Sequence, residues 1–151
     1  MPEGRIFVDT NILIYAYDKS AAQKREIARR RITELWESGQ GVLSTQVLLE
    51  FFVTATRKID KPLPINVARG IVSDLLHWQV IVNDGEDILN GIDLQVKHSL
   101  SFRDAMIVQA AIKGKCTTLL SEDLAHDQTI AGVTIRNPFR EADGSAPIHS
   151  R

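Results

Sequence analysis

Four acidic residues, Asp9, Glu50, Asp104 and Asp123, stand where carboxylates could be gathered for chemistry. Asp9 ends the apolar run Arg5-Ile6-Phe7-Val8, and Glu50 interrupts Val47-Leu48-Leu49-Glu50-Phe51-Phe52. Asp104 opens the helix-like stretch from Phe102 to Val108, and Asp123 follows the strand-like segment from Thr117 to Leu120. In a wound α/β domain, strand ends and helix starts converge on one edge of the sheet, so the four predict a single acidic site. Two carboxylates about 4 Å apart repel by about 4 kcal/mol at an effective dielectric near 20. Such a group takes up protons or holds a cation. Magnesium suits it, because that ion prefers a few carboxylates together with water and substrate phosphate. The chemistry read from these residues is metal-assisted hydrolysis of a phosphodiester.

Each acid also has a purely structural role open to it. Asp9 can bond its own backbone at the end of a strand. Ser101 and Asp104 have the spacing of a capping box, with Asp in place of Glu. Asp123 suits a loop or a cap, and Glu122 beside it competes for any place in a site. The apolar neighbours of Glu50 predict a helix buried nearly all round, where an unpaired carboxylate is expensive. A salt bridge to an arginine of another helix, such as Arg103, is the alternative to a cation there.

These residues must be positioned by the surrounding elements. Strands are predicted at residues 5–9, 42–44, 79–83 and 116–120, with a fifth at 133–136, on β-branched and aromatic content. Helices are predicted at 11–17, 20–38, 45–58, 65–76, 85–97 and 102–113, from apolar periodicity and breakers such as Gly39, Pro62, Pro64 and Gly114. Thr45 is the expected cap of the third helix. Ile27, Ile32, Leu35 and Trp36 give the long second helix one apolar stripe, and Trp36 and Trp78 are expected in the core. Alternating strands and helices predict a single α/β domain: a mostly parallel sheet of four to five strands covered by helices on both faces. Residues 1–140 are the expected domain, and the polar segment 141–151 an expected mobile tail.

The 151 residues suffice for one domain with a proper core. A net charge of −1 and a pI near 6.4 exclude a global basic field. Any nucleic-acid contact must then be local. The candidate is the cluster Lys24, Arg25, Arg29, Arg30 and Arg31, in which Lys24 and Arg31 share a helix face. Cys116 is the only cysteine, which excludes an intrachain disulfide and a cysteine-based zinc site. No apolar run is long enough to span a membrane, so no membrane partner and a cytoplasmic location are expected.

The four acidic segments also carry a family resemblance. Val8-Asp9-Thr10-Asn11-Ile12-Leu13-Ile14-Tyr15-Ala16 resembles the opening motif of PIN-domain nucleases, and Val47–Phe52 their second motif. Leu100-Ser101-Phe102-Arg103-Asp104-Ala105 is similar to the third, and Leu119–Leu124 to the fourth, with Asn137-Pro138-Phe139 a frequent ending. The motifs run in order over residues 5–139, and the length is most similar to VapC-type toxins of bacterial type II toxin–antitoxin systems. The resemblance implies an endoribonuclease dependent on one or two Mg2+ or Mn2+ ions, held by Asp9, Glu50, Asp104 and Asp123. It implies supporting roles for the Thr10 and Ser121 hydroxyls and an orienting role for Asn11 toward the first acid. It also implies a cognate antitoxin protein and a homodimer as partners. After the fourth acid, where relatives often carry glycine, this chain has His126-Asp127-Gln128. His126 becomes a candidate substrate contact, and Asp127 a candidate additional acid.

Rival chemistries fit less well. A haloacid-dehalogenase-like phosphatase needs a second Asp two residues after the first, where this chain has Asn11. A receiver domain leaves Glu50 unexplained. A metal-dependent DNA nuclease shares the acidic logic but usually needs longer DNA-gripping insertions. A catalytically silent PIN-like partner-binding protein would have lost its affinity for metal.

Overall fold

The computed structural model describes residues 4–142, apart from the side chains of the last two. Every residue of β1 (Ile6–Val8) and β2 (Gly41–Ser44) is buried. Because successive side chains of a strand point to opposite faces, full burial means that both faces of the sheet are covered there. β3 (Gln79–Ile81), β4 (Thr118–Leu120), β5 (Thr129–Ile130) and β6 (Val133–Arg136) complete a six-stranded sheet in the order β3-β2-β1-β4-β6-β5. All pairings are parallel except that of β5 with β6. The sequence predicted four to five strands; the addition is β5. Two residues are too few for a periodic signal, and β5 exists only as the antiparallel neighbour of β6 across a turn at Ala131 and Gly132.

Among the described residues, seven α-helices connect and flank the strands: α1 (Thr10–Tyr17), α2 (Gln23–Ser38), α3 (Thr45–Arg57), α4 (Ile65–Leu75), α5 (Gly85–His98), α6 (Phe102–Lys113) and α7 (Pro138–Ala142). The predicted helix 20–38 is divided. Asp18 caps a separate turn, Lys19–Ala21, through the Ser20 N–H at 3.0 Å, and Ala22 breaks the backbone at φ 52°. Ser44, rather than Thr45, caps α3, accepting the Val47 N–H at 3.2 Å. Glu141 and Ala142 of the predicted tail close α7, and residues 143–151 lie outside the described residues. Among the described residues no helix is long and apolar enough to cross a membrane.

The core is built from Phe7, Ile12, Leu13, Leu43, Phe51, Ile107, Leu119 and Ile135, all fully buried. Trp78 is buried as predicted, but Trp36 is 44% exposed and meets Trp78 edge to face at 5.5 Å. α3 also departs from the prediction of all-round burial. Phe51 and Leu48 face inward, whereas Leu49 is 69% exposed and Val53 also faces solvent.

α5 and α6 pack in opposite directions around a buried polar contact. Asp87 accepts hydrogen bonds from Gln109 Nε2 at 3.0 Å, Lys113 Nζ at 2.6 Å and the Asp84 N–H at 2.8 Å. One turn on, Gly91 admits the Met106 sulfur, which would stand 2.3 Å from any Cβ at that position. The bond from Lys113, followed by that from the Asp84 backbone, holds the Asp87 carboxyl well below the usual carboxylate range. A depressed folded-state pKa contributes stability above the unfolded value, about 3.9, and loses it as pH falls through the folded value. Asp87→Asn is therefore expected to melt below wild type at pH 7, with the gap narrowing as the pH is taken below about 4. Thermal melts of both proteins from pH 7 to pH 3 check this; a gap independent of pH would refute the linkage.

Candidate active site

The strand order reverses at β1, with β2 on one side and β4 on the other. The crevice beyond the carboxyl ends of such strands is the standard ligand position in an open α/β sheet. Asp9 follows β1, Ser121 and Asp123 follow β4, and α3, which carries Glu50, follows β2. The N-terminus of α6 brings Arg103 and Asp104 to the same place, where the Ser101 hydroxyl caps the helix by accepting the Asp104 N–H at 3.1 Å.

All four acids face one guanidinium. Arg103 Nη2 donates to Asp9 Oδ1 at 2.7 Å and to Glu50 Oε1 at 2.6 Å. Nη1 donates to Asp104 Oδ1 at 3.0 Å and lies 3.9 Å from Asp123 Oδ2. Nε donates to Glu50 Oε2 at 3.3 Å. The salt bridge weighed for Glu50 is thus formed, but Arg103 serves the whole acidic set rather than Glu50 alone. Among the described residues, no three acidic or histidine side chains are positioned to share an ion directly. The carboxylates stand around the guanidinium instead of meeting at one point.

Hydroxyls and amides hold the acids in place. Asp9 is fully buried, and beyond Arg103 it accepts from the Thr10 N–H at 2.7 Å and the Ser121 hydroxyl at 2.8 Å. The first of these makes Asp9 the N-cap of α1, so its structural role and its place in the acidic set coexist. Ser121 Oγ also accepts the Asp123 N–H at 3.2 Å, which ties the fourth acid to the first. Thr10 Oγ1 donates to Glu50 Oε1 at 2.6 Å, and Gln46 Nε2 donates to Glu50 Oε2 at 3.2 Å. Asn11 does not take the orienting role toward Asp9. Its Oδ1 is buried without a hydrogen-bond partner, and the orienting groups are Thr10, Ser121 and Arg103.

Electrostatics follow from these contacts. Burial raises the Glu50 carboxyl most, yet hydrogen bonds from Arg103, Thr10 and Gln46 together outweigh it and leave the group below its ordinary value. Asp123 moves the other way. Burial, then the charges of Asp9, Asp104 and Glu122, raise it against the pull of Arg103. Arg103 loses some preference for its charge by burial but regains more from Glu50 and Asp9, so it is a permanent cation. Four carboxylates around one guanidinium leave three negative charges uncompensated by Arg103, and their repulsion adds to burial in raising Asp123.

Glu122, the competitor of Asp123, is engaged elsewhere. It accepts from the Tyr15 hydroxyl at 2.7 Å and pairs with Lys24, whose Nζ lies over the Tyr15 ring at 4.9 Å. Phe139 meets Tyr15 edge to face at 5.1 Å and closes this box. Lys24 therefore stands beside the acids but is tied into the fold. Arg31 pairs with Glu34 at 2.6 Å along α2 rather than joining Lys24 at the site. His126 accepts the Asn137 N–H at 2.9 Å, which makes it a loop support. Asp127 pairs with Arg136 and stands 3.4 Å from His126, apart from the other acids.

An open cleft of about 480 Å³ leads away from the acids between α1 and α3. Glu50, Asp123 and Arg103 line it together with Thr10, Asn11, Ile14, Tyr15, Thr54 and Lys58. Sequence reasoning missed Lys58 and Tyr15. Tyr15 lies one turn of α1 after the motif residue Asn11, Lys58 caps α3 eight residues after Glu50, and helical periodicity on the cleft face was the available signal.

The sequence pattern of the PIN domain matches residues 6–130. No curated protein sequence matches the chain. Among solved structures, a toxin–antitoxin complex from Klebsiella pneumoniae superposes with a TM-score of 0.65 at 20% identity, covering 89% of this chain and 98% of that one. A sarcin–ricin loop cleaving VapC toxin of Mycobacterium tuberculosis gives 0.59 at 19% identity, covering 78% and 89%. The DNA-bound VapBC of Salmonella typhimurium gives 0.64 at 16% identity, covering 89% and 98%. At these identities the structural likeness speaks for the fold. With the family pattern spanning β1 to β5 and the acids of all four motifs drawn to one switch point of a parallel sheet, this chain belongs to the PIN-domain family.

Proposed function

We propose that this PIN-domain protein is a divalent-metal-dependent endoribonuclease and the toxin of a toxin–antitoxin pair, acting in the cytoplasm. The observation that carries the reading is the gathering of Asp9, Glu50, Asp104 and Asp123 around one cationic centre at the mouth of an open cleft. Their donor set fits magnesium or manganese: all-oxygen, anionic, and with charge left over after Arg103 is counted. Bound there, one or two such ions would polarise a phosphoryl oxygen and lower the pKa of a water for in-line attack. The hydroxyls of Thr10 and Ser121, which donate to Glu50 and Asp9, would support those two acids as ligands. Lys58, on the cleft wall, is placed to take a neighbouring phosphate of a bound strand.

Exposed apolar side chains support protein partners. Ile88, Leu89, Ile92 and Val96 form a solvent-facing stripe on α5, and Leu49 and Val53 another on α3. Contiguous apolar faces of this kind serve interfaces. A cognate antitoxin and a second copy of the chain are the proposed occupants, in keeping with the toxin–antitoxin assemblies whose fold this chain shares.

The Arg103 guanidinium among the acids also suits a second reading, a catalytically silent partner-binding protein. A metal-dependent DNA nuclease is the third. One experiment separates them: a mixed structured RNA pool and matched single-stranded and duplex DNA, each incubated with manganese, magnesium or EDTA. Cleavage of RNA alone, abolished by EDTA, is the expected result. Cleavage of DNA would replace the proposed substrate, and no cleavage would favour the silent reading.

A further inference from the structure

We propose that Arg103 is a built-in counter-cation of the acidic site, and that a divalent ion enters only by displacing its guanidinium. The inference rests on the metal site proposed above and concerns what this chain does with that site before metal arrives. Arg103 uses all three of its side-chain nitrogens on the acids, reaching across to Asp9 from 94 residues away in sequence. Nη2 alone touches Asp9, Glu50 and the Thr10 hydroxyl, the last at 3.1 Å. No other cation contacts Asp9 or Glu50 among the described residues. Lys24 is committed to Glu122.

The arrangement has the features of an exchangeable plug rather than a permanent strut. The Arg103 side chain is one-third exposed and lines the open cleft, so it can leave the acids without unpacking the core. A divalent ion carries twice its charge, which suits a centre where three negative charges remain uncompensated. Each hydrogen bond from an ionised donor to an ionised acceptor resists the exchange. Affinity for metal is thereby set below what the four carboxylates alone would supply, and the metal-free protein is kept folded. The Arg103–Asp104 pair is adjacent in sequence, so the same first turn of α6 supplies both a proposed ligand and its competitor.

The test is a calorimetric titration of Mn2+ into wild type, Arg103→Gln, Arg103→Lys and Lys58→Gln, with metal-free and metal-saturated melts of each. Arg103→Gln is expected to bind Mn2+ at least about tenfold more tightly, the equivalent of one charge-assisted hydrogen bond. Its metal-free form should melt below wild type, and saturating Mn2+ should close the gap. Lys58→Gln removes a charge from the same cleft without removing a contact to the acids, and its affinity should change far less. Arg103→Lys keeps the charge with fewer donors and should fall between wild type and Gln, which preserves the test if the Gln variant does not fold. Equal Mn2+ affinity in wild type and both Arg103 variants would overturn the plug while leaving the metal site standing. Equal gains in the Gln variants at 103 and 58 would reduce the effect to bulk charge and overturn it as well. Absence of Mn2+ binding in every protein would remove the metal site itself.

Discussion

Replacing Asp104 by Asn is expected to lower metal-dependent RNA cleavage by about a thousandfold while moving the metal-free melting temperature by no more than a few degrees. Metal-ion catalysis is worth several kcal/mol of transition-state stabilisation. At about 1.4 kcal/mol per factor of ten, loss of one ligand reaches that scale. The fold should tolerate the change for reasons visible in the contacts. Asp104 accepts one bond from Arg103 Nη1 at 3.0 Å, which an Asn carbonyl can still accept. Its N–H, not its carboxylate, completes the Ser101 cap of α6. Removing one negative charge also relieves a cluster that has three too many. Single-turnover cleavage of the RNA pool in Mn2+, beside a thermal melt without metal, measures both halves. A mutant with full activity would remove Asp104 from the site, and one that cannot fold would make it a structural acid.

The second large effect belongs to stability. Phe51→Ala should destabilise the domain by about 3–5 kcal/mol, the usual range for emptying a buried aromatic position. Roughly 6–20 °C in melting temperature follows for a domain of this size. Phe51 is fully buried and meets Tyr17 edge to face at 5.7 Å, so it pins α3 against α1. That contact fixes the distance between Thr10 on α1 and Glu50 on α3, which are 2.6 Å apart at their oxygens. Leu49→Ala, two positions away on the exposed side, should stay within about 0.5 kcal/mol. Urea denaturation of both variants, read at constant m-value, decides the matter. Comparable losses for the two would mean that α3 presents a different face to the core.

The sheet edge that carries the acids was readable because each motif joins a local signal to a chemical one. Asp9 closes an apolar strand, Ser101 starts a helix three residues before the Asp104 N–H it accepts, and Gly39 ends α2 in a left-handed cap. Such features depend on neighbours within one turn or one strand. β5 was not readable, since two residues carry no period. The break at Ala22 was missed because nothing in an alanine announces a positive φ. The exposed side of α3 was misjudged because its apolar residues exceed what the core can cover.

Residue types and their order along the chain determined the α/β class, the parallel sheet and the four acids as one set. Short-range periodicity and the sterics of strands and helices suffice for that much. Only the tertiary structure decided which side chains meet. It placed Asp123 rather than Glu122 toward the acids, by giving Glu122 to Tyr15 and Lys24. It left Asn11 Oδ1 buried without a hydrogen-bond partner and set the His126 ring against the Asn137 backbone. Above all, it set Arg103 among all four carboxylates. The contacts of Glu122 with Tyr15 and Lys24, and of Arg103 with Asp9 and Glu50, join positions 53 to 107 residues apart, so they depend on strand order and helix packing. No local pattern encodes the distance between two such side chains, because that distance exists only once the sheet has assembled around β1.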